Sequence, residues 1–296
     1  MAGTKVFLVD GTYELFRSHF GAVRHRSAES LPTAGIAGVL GTVLGLVEQG
    51  ATHVGVATDH VIESFRNGLW PGYKTGAGID PVLRNQFTPL EDALEAVGVV
   101  VWPMVHLEAD DALASAAAVA ADDPSVEQVV ICTVDKDLGQ CVRGAEVVQW
   151  DRKRQAVLDE AGIVEKMGVP PASVADLLAL VGDSADGFPG LPGFGAKSAA
   201  ALLRRFGHVE DVPDDVAAWD GVGVRGAGTL AATLAAHREE AMLFKRLATL
   251  VVDRSLVASV DDLRWRGPAP GFSAVAEALD ARGLAERADR LATKLA

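Results

Sequence analysis

Cysteine is scarce in this chain: Cys132 and Cys141 are the two among 296 residues. They show no CxxC spacing and no companion histidine cluster, which excludes a zinc-finger or disulfide framework and leaves them as reduced packing residues. Long apolar runs are also missing. The stretch "VGVVVWPMV" is strand-length and interrupted by proline, far short of the ~20 residues of a bilayer-spanning helix. The opening "MAGTKVFLVD" lacks the charged-then-apolar pattern of a secretory signal, and there is no fixed-period repeat or low-complexity linker. These absences lead to the expectation of a cytoplasmic globular protein with no membrane partner. Positive charge is in deficit, with 27 Lys and Arg against 40 Asp and Glu and a net charge of −13. That sum alone argues against nucleic acid, because phosphate binding normally leaves a basic footprint. The argument fails if the carboxylates are gathered to hold divalent cations, which reverse the local sign.

What is present is an alternation of strand and helix signals. The β-branched runs "KVFLVD" (5–10), "THVGVAT" (52–58), "VGVVVW" (97–102), "EQVVICTV" (127–134) and "AEVVQW" (145–150) are separated by helical patterns such as "IAGVLGTVLGLVEQ", "LEDALEAV" and "DDALASAAAVAA". Such alternation predicts a mostly parallel sheet covered on both faces, with its functional crevice beyond the carboxyl ends of the strands. After about residue 169 the character changes to helices and glycine-rich turns, a smaller helical domain, and a tail from about 259 ends in a helix. The expected divisions are 1–169, 170–258 and 259–296.

Acids fall where the crevice should be. Asp10 ends the first run, Asp59 follows the second, and Glu108, Asp110 and Asp111 follow the third in "HLEADDALA". Asp135 and Asp137 follow the fourth, while Asp183 and Asp186 sit at i and i+3 in "VGDSADGFPG". Any one of them taken alone reads as a helix cap or solvated turn, since carboxylates favour a helix's first turn. Nine converging carboxylates need counter-charge, because like charges raise one another's pKa. Hard divalent cations, Mg²⁺ or Mn²⁺, supply it through oxygen ligands, and two ions ~4 Å apart would suit phosphodiester cleavage. A haloacid-dehalogenase-type phosphatase is rejected, because the nucleophilic aspartate of its DxDGT signature would fall at Leu8.

The stretches "FLVDGTYELFRSHFG", "TDHVIESFR", "LEADDALAS", "CTVDKDLGQCV", "LALVGDSADGFPGLPGFGAKSAAALL" and "VRGAGTLAATL" resemble, in order and spacing, the 5′-nuclease domain of bacterial DNA polymerase I and its stand-alone flap-endonuclease-like relatives. The likeness covers roughly residues 5–252, and no polymerase domain follows, so a free-standing nuclease is expected. It implies a PIN-like (resolvase-like) α/β catalytic domain followed by a helix–three-turn–helix, SAM-like DNA-binding domain. It also implies that Asp10, Asp59, Glu108 and Asp110 hold a first metal, with Asp111 between the sites, and that Asp135, Asp137, Asp183 and Asp186 hold a second.

By the same likeness Lys74 stands at the base of an arch over the active site and Tyr73 beside it, while Arg17 and Arg66 face phosphate. Gly190, Gly193 and Gly195 let backbone N–H groups reach a phosphate, with Lys197, Ser198 and Arg225 alongside, and a K⁺ ion is implied at the turn over residues 190–197. Ala77 stands where the family usually has an arginine. The glycines of residues 68–81 are poor helix formers, and few apolar residues there would dock on a core, so this stretch is expected to be loosely held. The implied substrates are nicked, gapped or 5′-flap duplex DNA, including RNA-primed ends, cut by a monomer working alongside a DNA polymerase and a ligase. Two other functions compete with this one. A PIN-type ribonuclease shares the acidic sheet edge but needs no duplex clamp, and a non-catalytic DNA-binding scaffold would have lost some of the acids.

Overall fold

The computed structural model describes residues 3–25 and 32–295. In chain order the elements are β1 (Thr4–Asp10), α1 (Gly11–Ala22), α2 (Ala34–Glu48), β2 (His53–Asp59), α3 (Pro81–Arg84), α4 (Phe87–Ala96), β3 (Val100–Met104), α5 (Ala109–Ala121) and β4 (Val126–Cys132). There follow β5 (Val147–Asp151), β6 (Ala156–Leu158), α6 (Glu160–Met167), α7 (Val174–Val181), α8 (Ala196–Phe206), α9 (Ala227–Ala236), α10 (Arg238–Ala248), α11 (Phe272–Ala278) and α12 (Arg282–Leu295). Among the described residues, no helix is long and apolar enough to cross a membrane.

Two compact units result, and neither is a continuous stretch of chain. The first comprises Met1–Ile62, Gly76–Thr133 and Val251–Ala296; the second comprises Glu63–Thr75 and Val134–Leu250. In the first unit, strands run in the order β3-β2-β1-β4 and pair in parallel. Their interior residues are fully buried, Val6, Leu8, Val54, Val56, Val129 and Ile131 among them, as parallel strands covered on both faces should be. Register sets Asp10 opposite Ala57 and Asp59 opposite Met104, so the carboxyl ends of β1, β2 and β3 stop nearly level. Helix α1 begins immediately after β1, at Gly11, and α5 begins after a short loop from β3, at Ala109.

These units are drawn by packing and so cut the chain differently from the expected divisions along the sequence. The tail after residue 250 packs on the sheet unit instead of standing apart: Trp265 donates its indole N–H to the Val97 carbonyl at 2.8 Å, Trp102 donates to Leu256 at 3.1 Å, and Arg287 on α12 pairs with Glu48 on α2. Conversely, residues 63–75 join the helical unit because they carry apolar side chains into its core. That core gathers Tyr73, Ile163, Leu178, Leu180, Phe188, Leu202, Leu203, Leu234, Phe244 and Leu247, with Leu69 and Trp70 packed against it. Each fully buried aliphatic side chain there contributes about 1.5–3 kcal/mol. β5 and β6 form an antiparallel pair in this second unit, and β6 is a strand the sequence pattern did not predict.

Candidate metal centre and nucleic-acid interface

In the sheet unit the acids at the strand ends are fastened by the local chemistry that capping demands. Asp10 is the N-cap of α1: its carboxylate accepts from the Tyr13 amide at 2.8 Å and, through the other oxygen, from the Thr133 hydroxyl at 2.9 Å. One side chain therefore spans the ends of β1 and β4. Asp59 accepts from the Ala109 amide at 2.8 Å, and its own amide donates to the Thr12 hydroxyl at 2.8 Å, which ties the end of β2 to the starts of α1 and α5. Glu108 caps α5 reciprocally with Asp111, whose Oδ2 accepts the Glu108 amide at 2.9 Å. Capping and site-building are thus the same interactions here, because a cap holds the carboxylate at the sheet edge in one rotamer. Asp110 lies in the first turn of α5 and is half-buried.

Asp111, expected between two metals, is held by backbone donors on both oxygens. It is fully buried, and its Oδ1 accepts the Val251 amide at 2.8 Å while Oδ2 caps α5. Both oxygens bind backbone donors, so the residue braces α5 against the returning tail.

In the helical unit, one turn and one short loop bring three carboxylates together. Asp137, Asp183 and Asp186 each offer an oxygen within 4.8 Å of the others, and the residues are 5 %, 3 % and 8 % exposed. Asp137 opens the 3-10 turn Asp137–Cys141 after Asp135, whose side chain accepts the Asp137 amide at 3.0 Å. The other two acids belong to a tight loop closed on itself: the Asp183 amide donates to the Phe188 carbonyl at 2.8 Å, and the Gly187 amide donates to the Asp183 carbonyl at 2.8 Å. This is a hairpin-like loop, so the i, i+3 spacing acts here without a helix.

The electrostatics of the cluster follow from its burial. Asp137's carboxyl is pushed well above the usual carboxylate range, first by burial and then by the charges of Asp135, Asp186 and Asp183. Its Oδ1 has no hydrogen-bond partner. A buried oxygen without a donor costs stability unless something cationic meets it, and an all-carboxylate oxygen set is what hard divalent cations take. Two lysines face the cluster: Lys136 Nζ lies 2.8 Å from Asp183 Oδ2, and Lys74 Nζ lies 3.0 Å from Asp186 Oδ1. Burial would lower the Lys136 pKa, but its hydrogen bond to Asp183 and the charges of Asp183, Asp137 and Asp135 outweigh that and raise it. Lys136 was not among the expected residues. Its signal was a lysine flanked by two acids in "VDKD", which reads equally as a solvated turn.

Three side chains expected at the DNA, Arg66, Tyr73 and Arg17, are engaged within the protein. Arg66 is 1 % exposed and donates to the carbonyls of Leu247 (2.8 Å) and Thr249 (3.1 Å). It caps the C-terminal end of α10, where a cation also suits the helix dipole, so these contacts are structural. Tyr73, expected at the DNA, is 3 % exposed within the helical core. Arg17 is half-exposed and paired with buried Glu14, with Nε donating at 3.0 Å. The segment expected to be loose is anchored over its first half: Trp70 donates to the Gly187 carbonyl at 3.0 Å, the Lys74 amide donates to Asp186 at 2.9 Å, and Asn67 donates to the Lys74 carbonyl at 2.9 Å. The expectation counted glycines and overlooked the apolar weight of Leu69, Trp70 and Tyr73.

The glycine-rich turn divides into two roles. Gly190 is buried at φ +68°, and a Cβ there would stand 2.3 Å from the Gly182 amide nitrogen. It serves close backbone packing. Gly193, Gly195, Lys197, Ser198 and Arg225 instead line one open depression of about 690 Å³ together with Gly223. Gly195 caps α8 and Gly226 caps α9, so the first-turn amides of two helices border the same region. Helix N-termini of this kind attract anions.

Residues 5–168 match the 5′-3′ exonuclease N-terminal resolvase-like domain, and residues 169–271 match the 5′-3′ exonuclease C-terminal SAM fold. The chain is 35 % identical over 275 residues to DNA polymerase I of Pseudomonas aeruginosa, which covers 89 % of the chain but 29 % of that protein. It is 30 % identical over 251 residues to a 5′-3′ exonuclease of Buchnera aphidicola subsp. Schizaphis graminum, covering 84 % of the chain and 86 % of the relative. Its fold is that of the bacteriophage T5 D15 flap endonuclease, solved with DNA and metal ions (TM-score 0.65, 20 % identity, 97 % of each chain). It also matches the catalytic core of Rad2 in complex with DNA substrate (TM-score 0.64, 15 % identity, 98 % of this chain and 92 % of that one). With both domains matched in order along most of its length, the chain belongs to the 5′-3′ exonuclease family.

Proposed function

We propose that this protein is a structure-specific 5′-nuclease that cuts near the 5′ end of a flap or nicked strand, with Mg²⁺ or Mn²⁺ as its cofactor. The observation that carries the reading is the group of Asp137, Asp183 and Asp186, with an unpartnered buried oxygen on Asp137. With Asp135 these residues would hold one divalent cation, and Asp10, Asp59, Glu108 and Asp110 a second. Bound there, such ions supply an activated water and a Lewis acid for the scissile phosphate. The chain's own contribution is positional: caps and tight turns hold the carboxylates in place, and Lys74 stands at the cluster as a cation for phosphate.

The depression lined by Lys197, Ser198 and Arg225 would take a duplex phosphate, with a K⁺ ion bound by the same turn. Two helix N-termini and two exposed cations in one place support that role. The service suited to this activity is removal of RNA primers or flaps in replication and repair. It would be carried out in the cytoplasm by a monomer acting with a DNA polymerase and a ligase.

The test is cleavage of labelled flap, nicked, gapped and single-stranded substrates by the wild type and Asp183→Asn. We expect 5′-end products from branched and nicked duplexes with Mg²⁺ or Mn²⁺. The variant should lose more than about a hundredfold in rate, exceeding the effect of removing an outer-shell metal partner, while binding the same duplexes. Wild-type rates in Asp183→Asn at low metal would overturn the assignment.

A further inference from the structure

The acid cluster of the helical unit carries its own cations. Asp137, Asp183 and Asp186 bring three carboxylates within 4.8 Å, and the ammonium groups of Lys136 and Lys74 meet two of them. The two lysines are held differently. Lys74's backbone is tied in, its amide donating to the Asp186 carbonyl and its own carbonyl accepting from Asn67. Lys136 sits on the residue before Asp137 and reaches across to Asp183, with its side chain 38 % exposed against 3 % for its partner. Asp183 Oδ1 is taken by the Ala185 amide at 2.9 Å, which leaves Oδ2, the oxygen on Lys136, as the one turned to an exchangeable partner.

From this geometry we propose that Lys136 is a displaceable counter-ion of the metal centre. Its ammonium holds Asp183 Oδ2 in the metal-free protein and leaves for solvent when a divalent cation takes that oxygen. Metal affinity is then set by competition with the protein's own lysine. The inference rests on the reading that Asp137, Asp183 and Asp186 hold a divalent cation. Physically, an ammonium on four flexible carbons and at the edge of water swings out without disturbing the backbone. A cation left within a few ångströms of the ion would oppose its binding. What the lysine contributes is a folded site before metal arrives, since three close buried carboxylates repel one another.

Manganese titration by calorimetry, without DNA or turnover, tests this. Lys136→Met should bind Mn²⁺ on the order of tenfold more tightly at the class of sites that Asp183→Asn removes, and Lys136→Arg no more tightly than the wild type. Without metal, Lys136→Met should melt below the wild type, and the gap should close at saturating Mn²⁺. A second measurement needs no variant: the rate at which an amine-reactive reagent modifies Lys136, read by mass spectrometry, should rise when Mn²⁺ is added. Equal or weaker Mn²⁺ binding by Lys136→Met, or unchanged labelling of Lys136, would overturn the competition. If Asp183→Asn binds Mn²⁺ like the wild type, the metal-centre reading itself has failed. If Asp183→Asn loses binding while Lys136→Met titrates like the wild type, only the counter-ion role has failed.

Discussion

Asp137 shows how one residue sets function against stability. Its carboxyl is raised well above the ordinary range, by burial first and by neighbouring acids second. An acid whose folded pKa lies above its unfolded one binds more protons folded than unfolded between the two values, so stability falls as pH rises through that window. Above the folded pKa the metal-free protein carries the full cost of an ionised, partly unpartnered carboxylate. We therefore expect Asp137→Asn, in EDTA at pH 8, to melt a few degrees above the wild type, with the difference shrinking as pH falls toward the unfolded carboxyl's range near 4. Thermal melts across pH 4–8 would check this, and a variant less stable than the wild type at every pH would refute it. Saturating Mn²⁺ should reverse the order, since the ion stabilises only the chain that binds it.

At the scale of elements, the loop that carries Asp183 and Asp186 is joined to residues 63–75 by backbone contact too close for any side chain. Gly187 has φ +82°, and a Cβ there would lie 2.0 Å from the Gly72 carbonyl oxygen. Gly187→Ala must therefore push the two segments apart and strain a left-handed backbone. We expect a cost above about 1 kcal/mol, seen as a Tm lower by at least about 3 °C, with weaker Mn²⁺ binding as Asp186 shifts. Gly195→Ala is the matched control, because Gly195 has φ −126° and nothing within 4 Å of an added Cβ. Its Tm should fall by less than that of Gly187→Ala, since alanine is a poorer N-cap than glycine but meets no clash there. Equal melting of the two variants would show that the Gly72–Gly187 approach is not a structural joint. The same joint ties in the first part of residues 68–81, the stretch expected to be loosely held. Helix propensity describes a segment by itself, whereas Trp70 and Tyr73 are held by partners more than a hundred residues away.

For the molecule as a whole, the sheet unit is completed by the end of the chain. Trp265 is 3 % exposed with its indole on Val97, Trp102 donates to Leu256, and α12 lies on α2 through Arg287 and Glu48. A chain ending at residue 250 would uncover these apolar faces and leave Asp111 without the Val251 amide. We expect such a truncation to aggregate or to melt more than about 10 °C below the intact protein, as loss of several buried aromatic contacts implies. Calorimetry on both forms decides it, and equal Tm values would show the tail to be dispensable. The net charge of −13 is also a property at this scale. It shows how misleading a sum can be, since Asp10, Glu108, Asp111, Asp137, Asp183 and Asp186 are buried and the exposed depression in the helical unit is lined by Lys197 and Arg225.

By itself the sequence determined the succession of strands and helices, the placing of Asp10 and Asp59 at strand ends and the glycine-rich turn before α8. These follow from periodicity, capping chemistry and backbone freedom, which are local properties a few residues wide. Tertiary structure brought Asp137, Asp183 and Asp186 together and set the Asp111 carboxylate on the Val251 amide of the tail. It also buried Arg66 and Tyr73 and set Lys136 on Asp183. Each of those outcomes depends on a partner far along the chain: Leu247 is 181 residues from Arg66, and Val251 is 140 from Asp111. A side chain's charge and shape state what it needs, but only the path of the folded backbone determines which neighbour supplies it.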